Sequence, residues 1–96
     1  MAKTENSKPV YDLEERTFQF AKRVRLYVKN LSKSIANIED SKQVVKASGS
    51  VGANYIEANE SLSNKNSMYR MKISGKESKE SAYFLRLIPS TRDKST

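Results

Sequence analysis

The sequence predicts an all-α protein, because helix-breaking residues are rare and apolar residues recur with the period of an α-helix. The chain has 96 residues but only three glycines and two prolines, and both prolines, Pro9 and Pro89, lie near the ends. The long uninterrupted segments between them are typical of helices rather than of strands joined by tight turns. At this length we expect one domain at most, a small helical bundle over residues 1–96.

The first predicted helix spans residues 11–39 and follows a flexible N-terminus at residues 1–10. Asp12 and Glu15 have the spacing of a capping box, which satisfies free backbone N–H groups of the first turn. The predicted buried seam repeats every three or four residues and consists of Thr17, Ala21, Val24, Val28, Leu31, Ile35 and Ile38. Basic side chains gather on the opposite face, at Lys22, Arg25, Lys29 and Lys33. This face is either a solvated surface or a phosphate-binding surface.

The second predicted helix spans residues 41–62, because Asp40 and Gln43 again have capping-box spacing and Ile38 is placed for a hydrophobic staple. Its main seam consists of Val44, Ser48, Val51, Tyr55, Ala58 and Leu62.

Two glycines, Gly49 and Gly52, fall inside this second helix. Glycine in a helix interior costs about 1 kcal/mol relative to alanine, so we expect a neighbouring helix to approach closely there. The alternative is a short loop at residues 48–50 that divides the helix. The apolar seam continues across these residues, which favours one continuous helix.

The third predicted helix spans residues 67–88, after a polar hinge at residues 64–67, and Pro89 begins a polar tail at residues 89–96. Its predicted seam is rich in small residues: Met68, Met71, Gly75, Ser78, Ala82 and Leu85. Other apolar residues of this helix also need cover, either within the domain or against another copy of the chain.

A polar strip follows one flank of the second helix, at Gln43, Ser50, Asn54, Glu57 and Ser61. Such a strip lies either in water or at a boundary between helices, where its hydrogen bonds fix the register. We favour the boundary, with Ser50, Asn54 and Glu57 as the helix-interface residues.

The composition excludes most catalytic chemistry. Without cysteine or histidine the chain has no thiolate nucleophile, no sulfur-bound zinc and no imidazole base. The small residues at 48–52 lack the spacing of a phosphate-binding loop, and no strand precedes them. We therefore predict no enzyme, no catalytic residue, no cofactor and no metal site.

The charge points to polyanions. The net charge is +7 and the isoelectric point is about 9.7. A second candidate set of phosphate contacts lies on the third helix, at Lys72, Lys76 and Lys79. Tyr27 and Tyr55 fall on apolar seams, whereas Tyr11, Tyr69 and Tyr83 are freer to stack on bases, although structural packing is the favoured interpretation for each. No segment resembles a membrane span or a secretory signal, so we expect a cytoplasmic protein.

Residues 43–59, and above all Ser50 to Asn59 (SVGANYIEAN), resemble the signature helix of the bacterial four-helix-bundle proteins encoded in 23S rRNA intervening sequences. The resemblance covers about residues 10–88 and includes residues 12–21 (DLEERTFQFA), 69–81 (YRMKISGKESKES) and 84–88 (FLRLI). It implies an antiparallel bundle that assembles into a homopentamer without enzymatic activity. Members continue into a fourth helix, so the resemblance predicts a bundle whose fourth helix is missing here.

A similar bundle is the accessory variability protein of diversity-generating retroelements, which engages nucleic acid and a reverse transcriptase. The leading hypothesis is therefore a non-enzymatic, basic homo-oligomer that binds RNA or DNA through its helix faces. The alternative is a protein-protein adaptor or structural scaffold without a nucleic-acid role.

Overall fold

The computed structural model describes residues 12–89, and within this range it contains three α-helices and no strand. Helix α1 spans Leu13–Lys29, α2 spans Ile35–Glu60 and α3 spans Asn64–Leu87. Helix α2 packs against both of the others, and each neighbour runs antiparallel to it. The all-α prediction is confirmed for this part of the chain.

The first predicted helix is divided by a short turn, so its predicted extent of residues 11–39 is wrong. Helix α1 ends at Lys29, and α2 begins at Ile35. Ser34 caps α2, since its hydroxyl oxygen accepts a hydrogen bond from the backbone N–H of Asn37 at 3.1 Å. Polar side chains thus satisfy the backbone groups that the turn frees.

Because of this turn, the second helix begins earlier in the chain than predicted. Asp40 was the predicted cap for a helix at residues 41–62, but it lies inside α2. Ile35, assigned to the buried seam of the first helix, sits in the first turn of α2 and is 85% exposed. The cap predicted at Asp12 is confirmed, because its Oδ1 accepts from the Glu15 N–H at 3.1 Å.

Helix α2 is continuous through its glycines, and α1 approaches it closely at one of them. A Cβ atom at Gly52 would lie 2.8 Å from Oγ1 and 3.2 Å from Cβ of Thr17, closer than ordinary contacts allow. At Gly49 the nearest atom, Nη2 of Arg25, would be 3.5 Å away. The expected close helix approach is therefore confirmed at Gly52, and the loop alternative is wrong.

The apolar core lies where the C-terminal halves of α1 and α3 meet the N-terminal half of α2. Val24, Leu31, Val44 and Ile88 form its buried cluster, and Val44 is fully buried. We call this cluster the apolar end. It joins all three helices, because it takes side chains from α1, from the turn after it, from α2 and from the cap of α3.

Helix α3 turns a different face to α2 from the predicted one. The observed face, here called the facing ridge, contains the buried or half-buried residues Ser67, Arg70, Ser74, Glu77, Ser81, Phe84 and Ile88. Of the predicted seam, Met68 and Met71 are 63% and 43% exposed. Small serines let the helices approach, and Oγ of Ser74 donates to the backbone carbonyl of Val51 at 2.8 Å. Close packing with hydrogen bonds thus replaces an apolar seam here.

The turn between α2 and α3 is shorter than predicted. Helix α3 starts at Asn64 rather than at residue 67, because the Ser63 hydroxyl oxygen caps it by accepting from the Asn66 N–H at 3.1 Å. Leu62, assigned to the buried seam of α2, lies in this turn and is fully exposed. None of the helices within residues 12–89 is long and apolar enough to cross a bilayer.

Candidate nucleic-acid interface

The face of α3 opposite the facing ridge carries a row of basic and aromatic side chains. Seven exposed residues follow one another at alternating steps of four and three, and we call them the outer ridge: Lys65, Tyr69, Lys72, Lys76, Lys79, Tyr83 and Arg86. At about 100° per residue, Lys72 lies about 160° round the helix from the buried Ser74. The ridge therefore points away from the bundle, and none of its members is acidic.

A shallow groove of about 520 Å³ runs along the ridge. It is lined by Lys72, Gly75, Lys76, Lys79, Glu80 and Tyr83. Glu80 pairs with Lys76, with 3.5 Å between Oε2 and Nζ, but both side chains are largely exposed. Such surface pairs contribute little and leave the lysine available to a phosphate. The groove thus brings together the three predicted lysines of the third helix.

The predicted basic set of the first helix is dispersed. Lys22 and Lys29 are exposed on α1, and the Lys22 ammonium lies 5.5 Å from the centre of the Phe18 ring. Arg25 turns back along its own helix, because its Nη1 donates to the backbone carbonyl of Ala21 at 3.1 Å. Lys33 lies in the turn after α1, so it does not belong to a helix face as predicted. The four residues do not form one stripe.

The two basic sets do not merge into a single surface. Lys22 lies about 160° round α1 from the buried Val24 at 100° per residue, so it points away from the bundle, as the outer ridge does on its own helix. Both helices pack on α2, and within residues 12–89 their backbones do not contact each other. The two basic sets are therefore separate surfaces of the bundle.

Two of the three predicted helix-interface residues, Asn54 and Glu57, meet an arginine of α3, and among the described residues Ser50 is bonded only within α2. Asn54 accepts a hydrogen bond at its Oδ1 from Nη1 of Arg70 at 3.1 Å, and its Nδ2 donates to the backbone carbonyl of Ser50 at 3.0 Å. Nη2 of Arg70 lies 3.9 Å from Oε1 of Glu57. With Ser74, this polar contact lies on the α2–α3 boundary, and we call Asn54, Glu57, Arg70 and Ser74 the polar end.

Sequence reasoning missed Arg70 and Ser74 as interface residues. The sequence does contain a signal for them, because both belong to the facing ridge, whose first five residues are small or polar and repeat with helical spacing. Tyr69 and Tyr83 were predicted as separate candidates and were not placed on one helix face with the lysines. Tyr11, the third candidate for stacking, lies outside the described residues.

No group of three or more acidic side chains converges on a point where a metal ion could be held within residues 12–89.

Comparison with protein-family models, curated proteins and solved structures finds no match to this chain. Residues 12–89 form an all-α structure with a basic, aromatic outer ridge on its third helix.

Proposed function

We propose that this protein is a non-enzymatic nucleic-acid-binding protein and that the outer ridge of α3 is its principal contact. The observation that carries the proposal is the unbroken basic and aromatic row on a face directed away from the bundle. From Lys72 to Lys79 the helix rises about 10 Å. This distance matches the axial rise of about three nucleotides, at about 3.4 Å each, in one strand of a duplex.

Neutralising the ridge lysines tests the proposal. In the full chain we would replace Lys72, Lys76 and Lys79 by glutamine and measure affinity for a structured RNA and a duplex DNA from about 50 to 200 mM salt. Each lost phosphate contact lowers the slope of log affinity against log salt by about 0.7 to 0.9, so three should lower it by about 2 to 3. Unchanged affinity and slope would refute the ridge as the contact.

The chain supplies a matched control on its first helix. The variant Lys22→Gln, Lys29→Gln, Lys33→Gln removes the same charge from basic residues that do not lie on one continuous surface. It should reduce the slope by less than the ridge variant does. Equal losses from the two variants would mean that net charge, and not the ridge, governs binding.

We also propose that the chain associates with copies of itself. Large apolar side chains are half or more exposed on the outer sides of two helices: Phe18 and Leu26 on α1, and Met68 and Leu87 on α3. Association with copies of the chain would remove these side chains from water. The resemblance makes a homopentamer the specific form of this proposal and a reverse transcriptase a candidate partner. Sedimentation velocity of the full chain tests the assembly, and a monomer would contradict it.

The adaptor remains the second candidate, since the same apolar side chains could dock another protein. It predicts weak nucleic-acid binding at physiological salt together with intact folding. A shallow salt slope for the unaltered chain would favour this function over the first.

A further inference from the structure

We infer that the outer ridge is selective for single-stranded nucleic acid, with bases stacked on Tyr69 and Tyr83 and the backbone held by the lysines between them. This inference rests on the proposed function, because it assigns a ligand class to the same ridge. Base-aromatic stacking requires an exposed base face, which a single strand offers and an intact duplex keeps within its own stack.

Tyr83 is held ready for stacking. Its side chain is 57% exposed and lines the lysine groove. Its ring meets the ring of Phe84 edge-on, at 5.4 Å between centres and 78° between planes. Phe84 is half-buried against the apolar end, so the contact anchors Tyr83 to the core. An anchored ring loses little conformational entropy when a base stacks on it.

Tyr69 is supported in a different way. It is 58% exposed, and the guanidinium of Arg70 lies 5.9 Å from the centre of its ring. Arg70 is itself fixed by its hydrogen bond to Asn54 on α2. One face of Tyr69 is thus backed by a positioned cation, which leaves the other face for a base.

The spacing of the two rings suits a short strand. Fourteen positions separate Tyr69 from Tyr83, and a helix rises about 21 Å over that length. A stacked strand rises about 3.4 Å per nucleotide along its axis, so this length corresponds to about six nucleotides, within the range of about 4 to 16 that single-strand-binding OB-folds cover. Lys72, Lys76 and Lys79 lie between the rings, where they meet the phosphates.

The first experiment measures affinity of the full chain for an oligothymidylate of about 12 nucleotides and for a hairpin duplex of equal charge. We expect the single strand to bind more tightly. Tyr83→Ala should weaken single-strand binding about 5- to 150-fold and leave duplex binding unchanged. Tyr83→Phe keeps the ring and should restore affinity. Oligouridylate, the RNA counterpart, should give the same ranking of affinities among the variants.

The second experiment reports stacking directly. The chain contains no tryptophan, so Tyr83→Trp introduces a single reporter whose fluorescence a stacked base quenches. Phe18→Trp is the matched control, because Phe18 is also exposed and has a lysine over its ring, but it lies on α1. Oligothymidylate should quench the first variant and leave the second unchanged.

The outcomes separate this inference from the proposed function. If neutralising the ridge lysines abolishes binding while Tyr83→Ala retains it, nucleic-acid binding stands and the single-strand inference is overturned. Equal affinity for single strand and duplex, or equal quenching of the two tryptophan variants, would also overturn it. If no nucleic acid binds at the lowest salt, both proposals fail together.

Discussion

The two regions that hold the bundle together use different chemistry. At the apolar end, Val24, Val44 and Ile88 bury aliphatic side chains from all three helices. At the polar end, α2 and α3 are joined by hydrogen bonds from Arg70 and Ser74. Aliphatic burial stabilises strongly but is not directional, whereas hydrogen bonds between helices contribute less and depend on alignment. The apolar end should therefore determine whether the chain folds, and the polar end the register of α3.

The largest expected effect comes from truncating the apolar end. Ile88→Ala should lower the free energy of unfolding by about 2 to 5 kcal/mol, because it leaves a cavity among buried aliphatic side chains. Urea denaturation followed by circular dichroism measures this change. The control is Leu87→Ala at the adjacent, half-exposed position, which should cost much less. Similar losses from the two variants would show that the apolar end is not the principal source of stability.

The contact between α1 and α2 should come next. Gly52→Ala places a methyl group against Thr17 and should destabilise the fold by about 1 to 3 kcal/mol, since the β-branched side chain has little freedom to move. Gly75→Ala is the control, because a Cβ there has no neighbour within 4 Å. It should stabilise the fold by about 0.5 to 1 kcal/mol through helix propensity. Thermal unfolding shifts of the same sign would contradict the close approach.

A smaller effect is expected for the hydrogen bond between α2 and α3. Ser74→Ala removes the donor to the Val51 carbonyl and should cost about 0.5 to 1.5 kcal/mol. Ser78→Ala changes an exposed serine one turn further along α3 and should be close to neutral. Chemical denaturation of the two variants measures the difference in their free energies of unfolding. An equal response from both serines would mean that the bond contributes nothing to stability.

The smallest expected effect is the coupling between Arg70 and Asn54. A cycle of Arg70→Ala, Asn54→Ala and the double variant should give an interaction energy of about 0.5 to 1 kcal/mol, because the arginine is partly solvated. If the losses from the two single variants are additive, the hydrogen bond between Arg70 and Asn54 does not fix the register of α3. A coupling larger than the loss from Ile88→Ala would reverse the ranking of the two ends.

Sequence reasoning predicted the elements better than their contacts. The helix class, the cap at Asp12 and the end of α3 before Pro89 follow from local side-chain chemistry. The break before Ile35 was missed because apolar spacing continues across it, while the serines and asparagines that stabilise the turn were given no weight. A regular apolar spacing therefore does not show that a helix is continuous.

The face of α3 could not be predicted in the same way. Its packing depends on the small surface that α2 presents, and on a carbonyl of Val51 that is placed only when the helices meet. Three lysines of the outer ridge, Lys72, Lys76 and Lys79, were predicted from the sequence, because basic residues need no partner to be recognised, whereas Lys65 was missed. Their position on the same face as Tyr69 and Tyr83 follows only from the orientation of α3, and the predicted seam assigned that orientation incorrectly.

The facing ridge and the outer ridge occupy opposite sides of one helix, and both repeat every seven residues. One added or deleted residue would turn the following part of α3 by about 100° and move both ridges out of place. Seven added residues would return both almost to their original directions. The direction of each ridge thus depends on the exact number of residues before it: a single-residue insertion turns both ridges away, whereas a seven-residue insertion keeps their directions but displaces the following contacts by about 10 Å along α2.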